Sequence, residues 1–306
     1  MNDPAHKLDT GRSKAGWSSY GCFRKCPRKF AYENRPALPS SSTGPISIGS
    51  SGGARALGTF VHNLLALYYL HQVGKAQNPT LLTQAEVSAL AATSGMNVEK
   101  DAELLADNWS RFLMYVNEYV GEAWTPLAIE QEHRIGIIMQ QEPTGGNFQA
   151  SEPRGTISVV DAGTHGSVLY TSRVDLVIRD GEGKVWAIDH KTASRMYPDT
   201  ILRYGLSGQM HGLWHIGRHH YGVDFAGVML NFFQTRGPIH FQRRRPAAAP
   251  KMVEDFPKLI WNTANEIAMW DRMGQTVEDW PTSNNETVCI STYGTCDHAD
   301  RCRFGT

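Results

Sequence analysis

VDLVIRDGEGKVWAIDHKTAS runs from Val174 to Ser194. Two apolar stretches flank the polar turn RDGEGK, so the segment reads as a β-hairpin. Each strand carries an aspartate within its apolar run, Asp175 in the first and Asp189 in the second. Lys191 follows two residues later, and alternation along a strand sends it to the same face as Asp189. Asp175 and Asp189 are both odd-numbered, and registers that pair odd with odd set them opposite or diagonal, within about 8 Å. Burying that much charge without compensation is costly. Two carboxylates at such a separation bind one hard divalent cation. A neighbouring ammonium suits a phosphate, because it stabilises charge developing at phosphorus or orients the attacking water. The plainer alternative is a hairpin whose charged residues face solvent.

With this pattern the segment resembles the PD-(D/E)XK nuclease superfamily, and especially its RecB-like exonuclease branch. VDLVIRDGEGKVWAIDHK carries the aspartate, the hairpin and the D-x-K element. Upstream, GTFVH sets Gly58 four residues before His62, as that branch does on a helix. The resemblance implies an α/β, restriction-endonuclease-like fold, a central mixed sheet flanked by helices, with N- and C-terminal segments joined by a cysteine cluster. It implies His62, Asp175 and Asp189 as metal ligands, the carbonyl of His190 beside them, and Lys191 as the catalytic lysine. Family members place a glutamate on the strand before the aspartate. Glu130 and Glu132 both lie in IEQEHRIGI on one expected face, and Glu132 is the supporting residue expected here. The branch follows the lysine strand with a Q-x-x-x-Y helix that approaches the metal and DNA. Gln209 fits the first position, but Leu213 stands where the tyrosine would be, so Tyr204 and Trp214 are left to supply aromatic contact with DNA.

From Arg55 to about Val73 apolar residues recur at helical spacing, with Leu57, Phe60, Val61, Leu64, Leu65 and Leu67 as the stripe. Further helices are expected at roughly 81–94 and 98–121, and strands at 127–139, 156–161, 167–178 and 184–190. A helix at 204–219, strands at 224–234 and 239–245, and a long helix at 250–274 follow, with 142–155 as a loop. The expected organisation is a disordered tail over 1–17 and one nuclease domain over 18–306. Within that domain a helical part covers about 55–121, the nuclease core about 125–245, and a helix with the cysteine tail 250–306.

Cys22 and Cys26 lie near the start and Cys289, Cys296 and Cys302 near the end, with none between. An odd number without a secretory signal argues against a disulfide framework. The spacing lacks the tight knuckles of a zinc ribbon, and four thiolates in looser loops suit an iron–sulfur cluster. Cys26, in CPRKF, is the better early partner. The arrangement is similar to the iron–sulfur subset of RecB-like nucleases, in which one early cysteine joins three late ones and clasps the ends together. Cys296 and Cys302 keep that subset's five-residue gap, while Cys289 stands further off. The resemblance implies a 4Fe–4S cluster on Cys26, Cys289, Cys296 and Cys302.

The 306 residues hold 30 Lys and Arg against 30 Asp and Glu, so any DNA contact has to come from a local patch. RKCPRKF carries Arg24, Lys25, Arg28 and Lys29 among Phe23, Phe30 and Tyr32, a mixture of charge and rings that suits a single strand. For Arg243, Arg244 and Arg245 the expected reading is solvated surface charge. His211, His215 and His219 share a helix face, expected to be polar and near substrate. No apolar run reaches the ~18–20 residues of a membrane span, and no secretory signal is visible. A cytoplasmic protein of a bacterium or phage-infected host is therefore expected. The expected activity is a Mg²⁺- or Mn²⁺-dependent DNA exonuclease of recombination, repair or phage DNA processing, or one related to the CRISPR-adaptation nucleases. Its substrate would be DNA with free ends, single-stranded or end-frayed, delivered by a recombinase or helicase. A non-catalytic DNA-end-binding or partner-docking module, a redox iron–sulfur protein and a structure-directed endonuclease are the alternatives.

Overall fold

The computed structural model describes residues 13, 15–38, 52–141, 155–246, 249–283, 286–291, 294–299 and 302. Most of the tail expected over 1–17 and of the loop expected over 142–155 lies outside these residues. Helices α1 (Trp17–Lys25), α2 (Pro27–Asn34), α3 (Gly52–Gln72), α4 (Gln84–Thr93) and α5 (Ala102–Tyr119) come first. Strands β1 (Thr125–Gln141), β2 (Gly155–Val160), β3 (Val168–Arg179) and β4 (Val185–Ala193) follow. Next come α6 (Pro198–Gly205), α7 (Gly208–Tyr221), β5 (Phe225–Gln234) and β6 (Phe241–Arg244). The chain then forms α8 (Pro250–Met273), α9 (Glu286–Cys289), β7 (Ile290–Ser291) and β8 (Gly294–Thr295). Periodicity does not announce α1, α2 or α6, each of them two or three turns long.

Six strands form one sheet in the order β2-β1-β3-β4-β5-β6. The pair β3–β4 is antiparallel, β4–β5 parallel and β5–β6 antiparallel. This is the mixed, restriction-endonuclease-like α/β sheet that the hairpin implies. The chain divides into two compact units, one gathering Ser50–Glu132 and Arg173–Ala248, the other Arg12–Gly49, His133–Ser172 and Ala249–Thr306.

In the first unit, the RDGEGK turn closes on Asp180, whose Oδ1 accepts from the amides of Glu182 at 3.0 Å and Lys184 at 2.8 Å. Gly183 sits there at φ 81, a conformation a side chain would strain. Pairing runs Leu176↔Ile188 and Val177↔Ala187, so odd residues meet odd residues, and the register continued one step past its last pair brings Asp175 towards Asp189. One face of the sheet is covered by α3, through Leu57, Phe60, Val61, Leu64 and Leu65, all at most 4% exposed. Leu67, counted in the expected stripe, is only half-buried. The other face is covered by α7, whose Met210 and Leu213 pack with Val177, Ala187, Leu230 and Phe232.

The second unit joins the first helices to the tail. Phe23 meets Phe30 and Trp280 edge-to-face and Phe30 lies tilted against Trp280, with centroids 5.5 to 6.2 Å apart. Arg28 donates to the carbonyls of Trp280 at 2.9 Å and Glu278 at 2.7 Å.

Gly58 lets α3 lie close on β4, since a Cβ there would come 3.1 Å from the Thr192 hydroxyl. Gly58→Leu is accordingly expected to lose about 1–3 kcal/mol in urea unfolding through overpacking. Gly58→Ala, whose single methyl needs a shift of only a few tenths of an ångström, should lose clearly less.

Candidate metal centre and its lysine

The ladder between β3 and β4 stops at Leu176↔Ile188, and Asp175 turns its side chain into the gap. Its Oδ2 accepts from the backbone amide of His190 at 2.7 Å, so a carboxylate replaces the missing ladder partner. The ring of His62, from α3, brings Nδ1 to 3.6 Å from the same oxygen and hydrogen-bonds the backbone of His190. Glu130, from β1, completes a group. One ligand atom each from His62, Glu130 and Asp175 all lie within 4.8 Å of one another. Among the described residues this is the only set of three or more His, Cys, Asp or Glu that meets that distance.

Glu132, the expected supporting residue, is half-buried and stays outside the group. The reason is local. Glu130 adopts φ 47, left-handed backbone in a non-glycine residue, which breaks the alternation that would set Glu130 and Glu132 on one face.

Asp189 lies beside the group and is engaged otherwise. Its Oδ2 meets Lys191 Nζ at 2.6 Å, and its Oδ1 accepts from Gln209 Nε2 at 2.8 Å. Gln209 Oε1 in turn accepts from Lys191 at 3.3 Å, closing a three-residue ring. The lysine lies 5.2 Å from the centroid of the Tyr204 ring. The aromatic that the Q-x-x-x-Y element would supply from α7 thus comes from α6, while Leu213 is 1% exposed in the core. Trp214 is partly buried against that same core cluster. His211 is buried with Nε2 3.0 Å from the Gly205 carbonyl, so the expected polar histidine face is in part an internal contact.

Burial sets the electrostatics. It raises Glu130 to about 9, with Asp175 adding to the effect. It raises Asp175 and Asp189 to about 6 each, against the opposing pull of Lys191. His62 is pushed down to about 4, by burial and then by Lys191. Lys191 stays charged, because Asp189, Tyr204 and Asp175 outweigh the effect of its burial. A neutral imidazole and carboxyls that hold their protons until a cation displaces them make a divalent site whose filling releases protons. One nitrogen and two oxygen donors fit a hard or borderline ion such as Mg²⁺ or Mn²⁺.

Behind the site lies a network that the sequence did not reveal. His190 Nδ1 is 2.8 Å from Asn231 Nδ2, which also donates to Tyr115 Oη at 3.0 Å. Arg243 donates to Asn231 Oδ1 at 3.3 Å, Tyr115 at 3.1 Å and Tyr69 at 3.3 Å, and pairs with Glu122. Its guanidinium lies 3.6 Å from the centroid of Tyr119 and 3.9 Å from that of Trp124. The expected surface charge is in this residue's case a caged cation, with a side chain 11% exposed. The signal was present in MLNFF, where Asn231 is the one amide among apolar strand residues.

In the second unit, Cys26, Cys289, Cys296 and Cys302 line one small cavity together with Lys29. Cys26 is the N-cap of α2, its sulfur 3.5 Å from the Lys29 amide. Cys22 is not in the lining; its sulfur lies 3.8 Å from Glu33, and burial with that carboxylate raises the thiol to about 12. The expected DNA-binding set is divided. Arg24 and Lys25 are exposed. Arg28 is occupied by backbone carbonyls, Lys29 pairs with Glu33 at 3.6 Å, and Phe23 and Phe30 are at most 2% exposed, so their rings are not available to bases.

A family model described as the PD-(D/E)XK nuclease superfamily matches residues 16–303. The chain belongs to the PD-(D/E)XK nuclease superfamily. Membership makes it a nuclease-type phosphodiester hydrolase that uses divalent metal, with DNA as the suggested substrate. No curated protein matches. Among solved structures, SSO0001 aligns at 12% identity over 69% of this chain and 73% of its own, with a TM-score of 0.26, too distant to transfer fold or function. Among the described residues no helix is long and apolar enough to cross a membrane.

Folded Glu130 holds its proton more tightly than an unfolded glutamate. Its contribution to the stability of the metal-free nuclease is therefore full below the ordinary range near ~4.3 and is lost as pH rises toward about 9. Asp175 and Asp189 lose theirs by about 6. His62 acts oppositely, and only between its ordinary ~6.5 and about 4. In chelator, the melting temperature is expected to fall from roughly pH 7 to 9. Glu130→Gln should flatten that fall, and an equally steep fall in the variant would contradict the assignment.

Proposed function

We propose that this nuclease is a Mg²⁺- or Mn²⁺-dependent DNA exonuclease. The observation that carries the hydrolytic reading is Lys191, held by Asp189 at 2.6 Å and Gln209 at 3.3 Å beside the His62, Glu130 and Asp175 group. His62, Glu130 and Asp175 would hold a divalent cation, whose chemistry there would be to make a water more acidic and to polarise the phosphate. The protein does the rest by placement. Asp189 and Gln209 fix the lysine in one position, so its charge meets the negative charge that develops at phosphorus without reorganisation. The Asp175 bond to the His190 amide fixes the carboxylate, and the Asn231 contact fixes the His190 ring, so the backbone of residue 190 is held from both sides.

The four cysteines around one cavity fit an iron–sulfur cluster of the 4Fe–4S type. The late cysteines are separated by six and five residues, without the tight knuckles of a zinc ribbon. Such a cluster would tie α2 to the tail, next to the Phe23, Phe30 and Trp280 contact that already does so. A structural role suffices for it.

Exonuclease action on DNA ends, in the cytoplasm of a bacterium or phage-infected host, follows from the resemblance of the hairpin and of GTFVH to the RecB-like branch. Recombination, repair or phage DNA processing is the matching context, with a recombinase or helicase delivering ends. The absence of a base-reading motif agrees with cleavage that ignores sequence.

The test is Mn²⁺-dependent degradation of end-labelled linear DNA and of closed circular DNA by protein prepared without oxygen. Linear DNA should shorten and circles remain whole, and Lys191→Ala should lower the rate by about 10²-fold or more while the fold persists. Cut circles would make the enzyme an endonuclease. Folded protein that leaves both substrates intact would overturn the hydrolytic reading.

A further inference from the structure

Beside the site, α6 and β6 enclose a groove of about 630 Å³, within the range of ligand-binding clefts. Its walls include Tyr197, Ile201 and Leu202 from α6 and its approach, and Phe232, Gln242 and Arg244 from the sheet. Tyr197 is 59% and Leu202 66% exposed, a large apolar and aromatic surface around an open groove. Among the described residues no carboxylate lines it, whereas Arg244 and Arg245 do. The guanidinium of Arg245 lies 4.1 Å from the centroid of Trp186, which leaves Arg244 as the arginine on the groove's own face of the sheet.

The register connects this groove to the lysine. Lys191 pairs with Phe232 across β4–β5, and Phe232 pairs with Gln242 across β5–β6. Directly paired residues project from one face, so these three form a line across the sheet, two strand spacings or about 10 Å long. Phe232 also lies 6.0 Å from Tyr204, the ring that lies against Lys191. Gln242, with its amide turned, accepts from Arg244 Nε at 2.8 Å, so the two lining residues are tied to each other.

We propose that this groove holds the single-stranded DNA segment adjoining the scissile phosphate, with Arg244 on its phosphates and Tyr197 stacked on a base. The occupant is chosen by chemistry. A basic wall without carboxylates calls for a polyanion, and an exposed ring beside apolar side chains calls for unpaired bases. Stacked nucleotides rise about 3.4 Å each, so a strand lying with its reacting phosphate at Lys191 reaches β6 within about three residues. The inference rests on the nuclease reading of the site, yet it concerns binding and is separable from cleavage.

The experiment is fluorescence anisotropy of a labelled oligo-dT with the full chain, with Ca²⁺ replacing the hydrolytic metal. The natural protein is compared with Tyr197→Ala, Arg244→Ala, their double variant and Lys184→Ala. Lys184 is an exposed lysine at the hairpin turn, and its loss changes net charge equally. Thermal melting verifies folding of each. The expected result is a Kd raised about tenfold or more in the double variant, with a salt slope reduced by about one in Arg244→Ala. Lys184→Ala should stay within about twofold, and a duplex of equal length should lose less than the single strand. Unchanged affinity in the folded double variant overturns the proposal, as does an equal loss in Lys184→Ala, which would mean diffuse charge alone. If the DNA of the cleavage assay stays whole while binding depends on Tyr197 and Arg244, the groove stands and the hydrolytic reading is the part that fails.

Discussion

A hydrogen bond of 2.7 Å from the His190 amide to the Asp175 carboxylate joins β3 to β4 where their ladder ends. Without it a buried amide would lack a partner at the point where the strands separate, a loss of about 1–3 kcal/mol. With it, Asp175 is both a strap between strands and a donor to the metal group. The separation it spans is what admits the His62 ring from α3 and gives Lys191 and Asp189 room to face Gln209 from α7. Every element of the candidate centre meets at this opening.

The concentration of charge there is tolerable because each group has a partner. Lys191 balances Asp189, Gln209 bridges the two, and Glu130 takes a proton when no cation is present. On the other side of the sheet, Asn231, Tyr115, Tyr69 and Arg243 continue the polar contacts from the His190 ring out to Glu122. Networks of this kind specify one arrangement when every member is satisfied. Arg243 is held in this way by Asn231, Tyr115 and Tyr69 and by the faces of Tyr119 and Trp124, whereas Nε2 of His190 is buried without a hydrogen bond.

Much of this was legible in the sequence, and the failures share a cause. Period-two alternation carried the hairpin and the common face of Asp175, Asp189 and Lys191, and helical spacing carried α3. His62 and Gln209 were found through the resemblance, as the histidine of GTFVH and the first position of the Q-x-x-x-Y element. Glu130 was passed over for Glu132 because alternation was assumed through φ 47, a backbone choice that composition does not disclose. Arg28 and Arg243 were misjudged because the partners that bury them, the carbonyls of Glu278 and Trp280 and the rings of Tyr119 and Trp124, lie more than a hundred residues away. Tyr204 was named, but its place against Lys191 depends on α6, a short helix without a clear periodic signal.

The central claim is that His62, Glu130 and Asp175 hold a divalent cation beside Lys191. Crystals grown with Mn²⁺ and measured at the manganese absorption edge test it directly. The account predicts an anomalous peak bonded to His62, Glu130 and Asp175. A well-ordered site with no peak there, or manganese bound through Glu132 and away from His62, would contradict it.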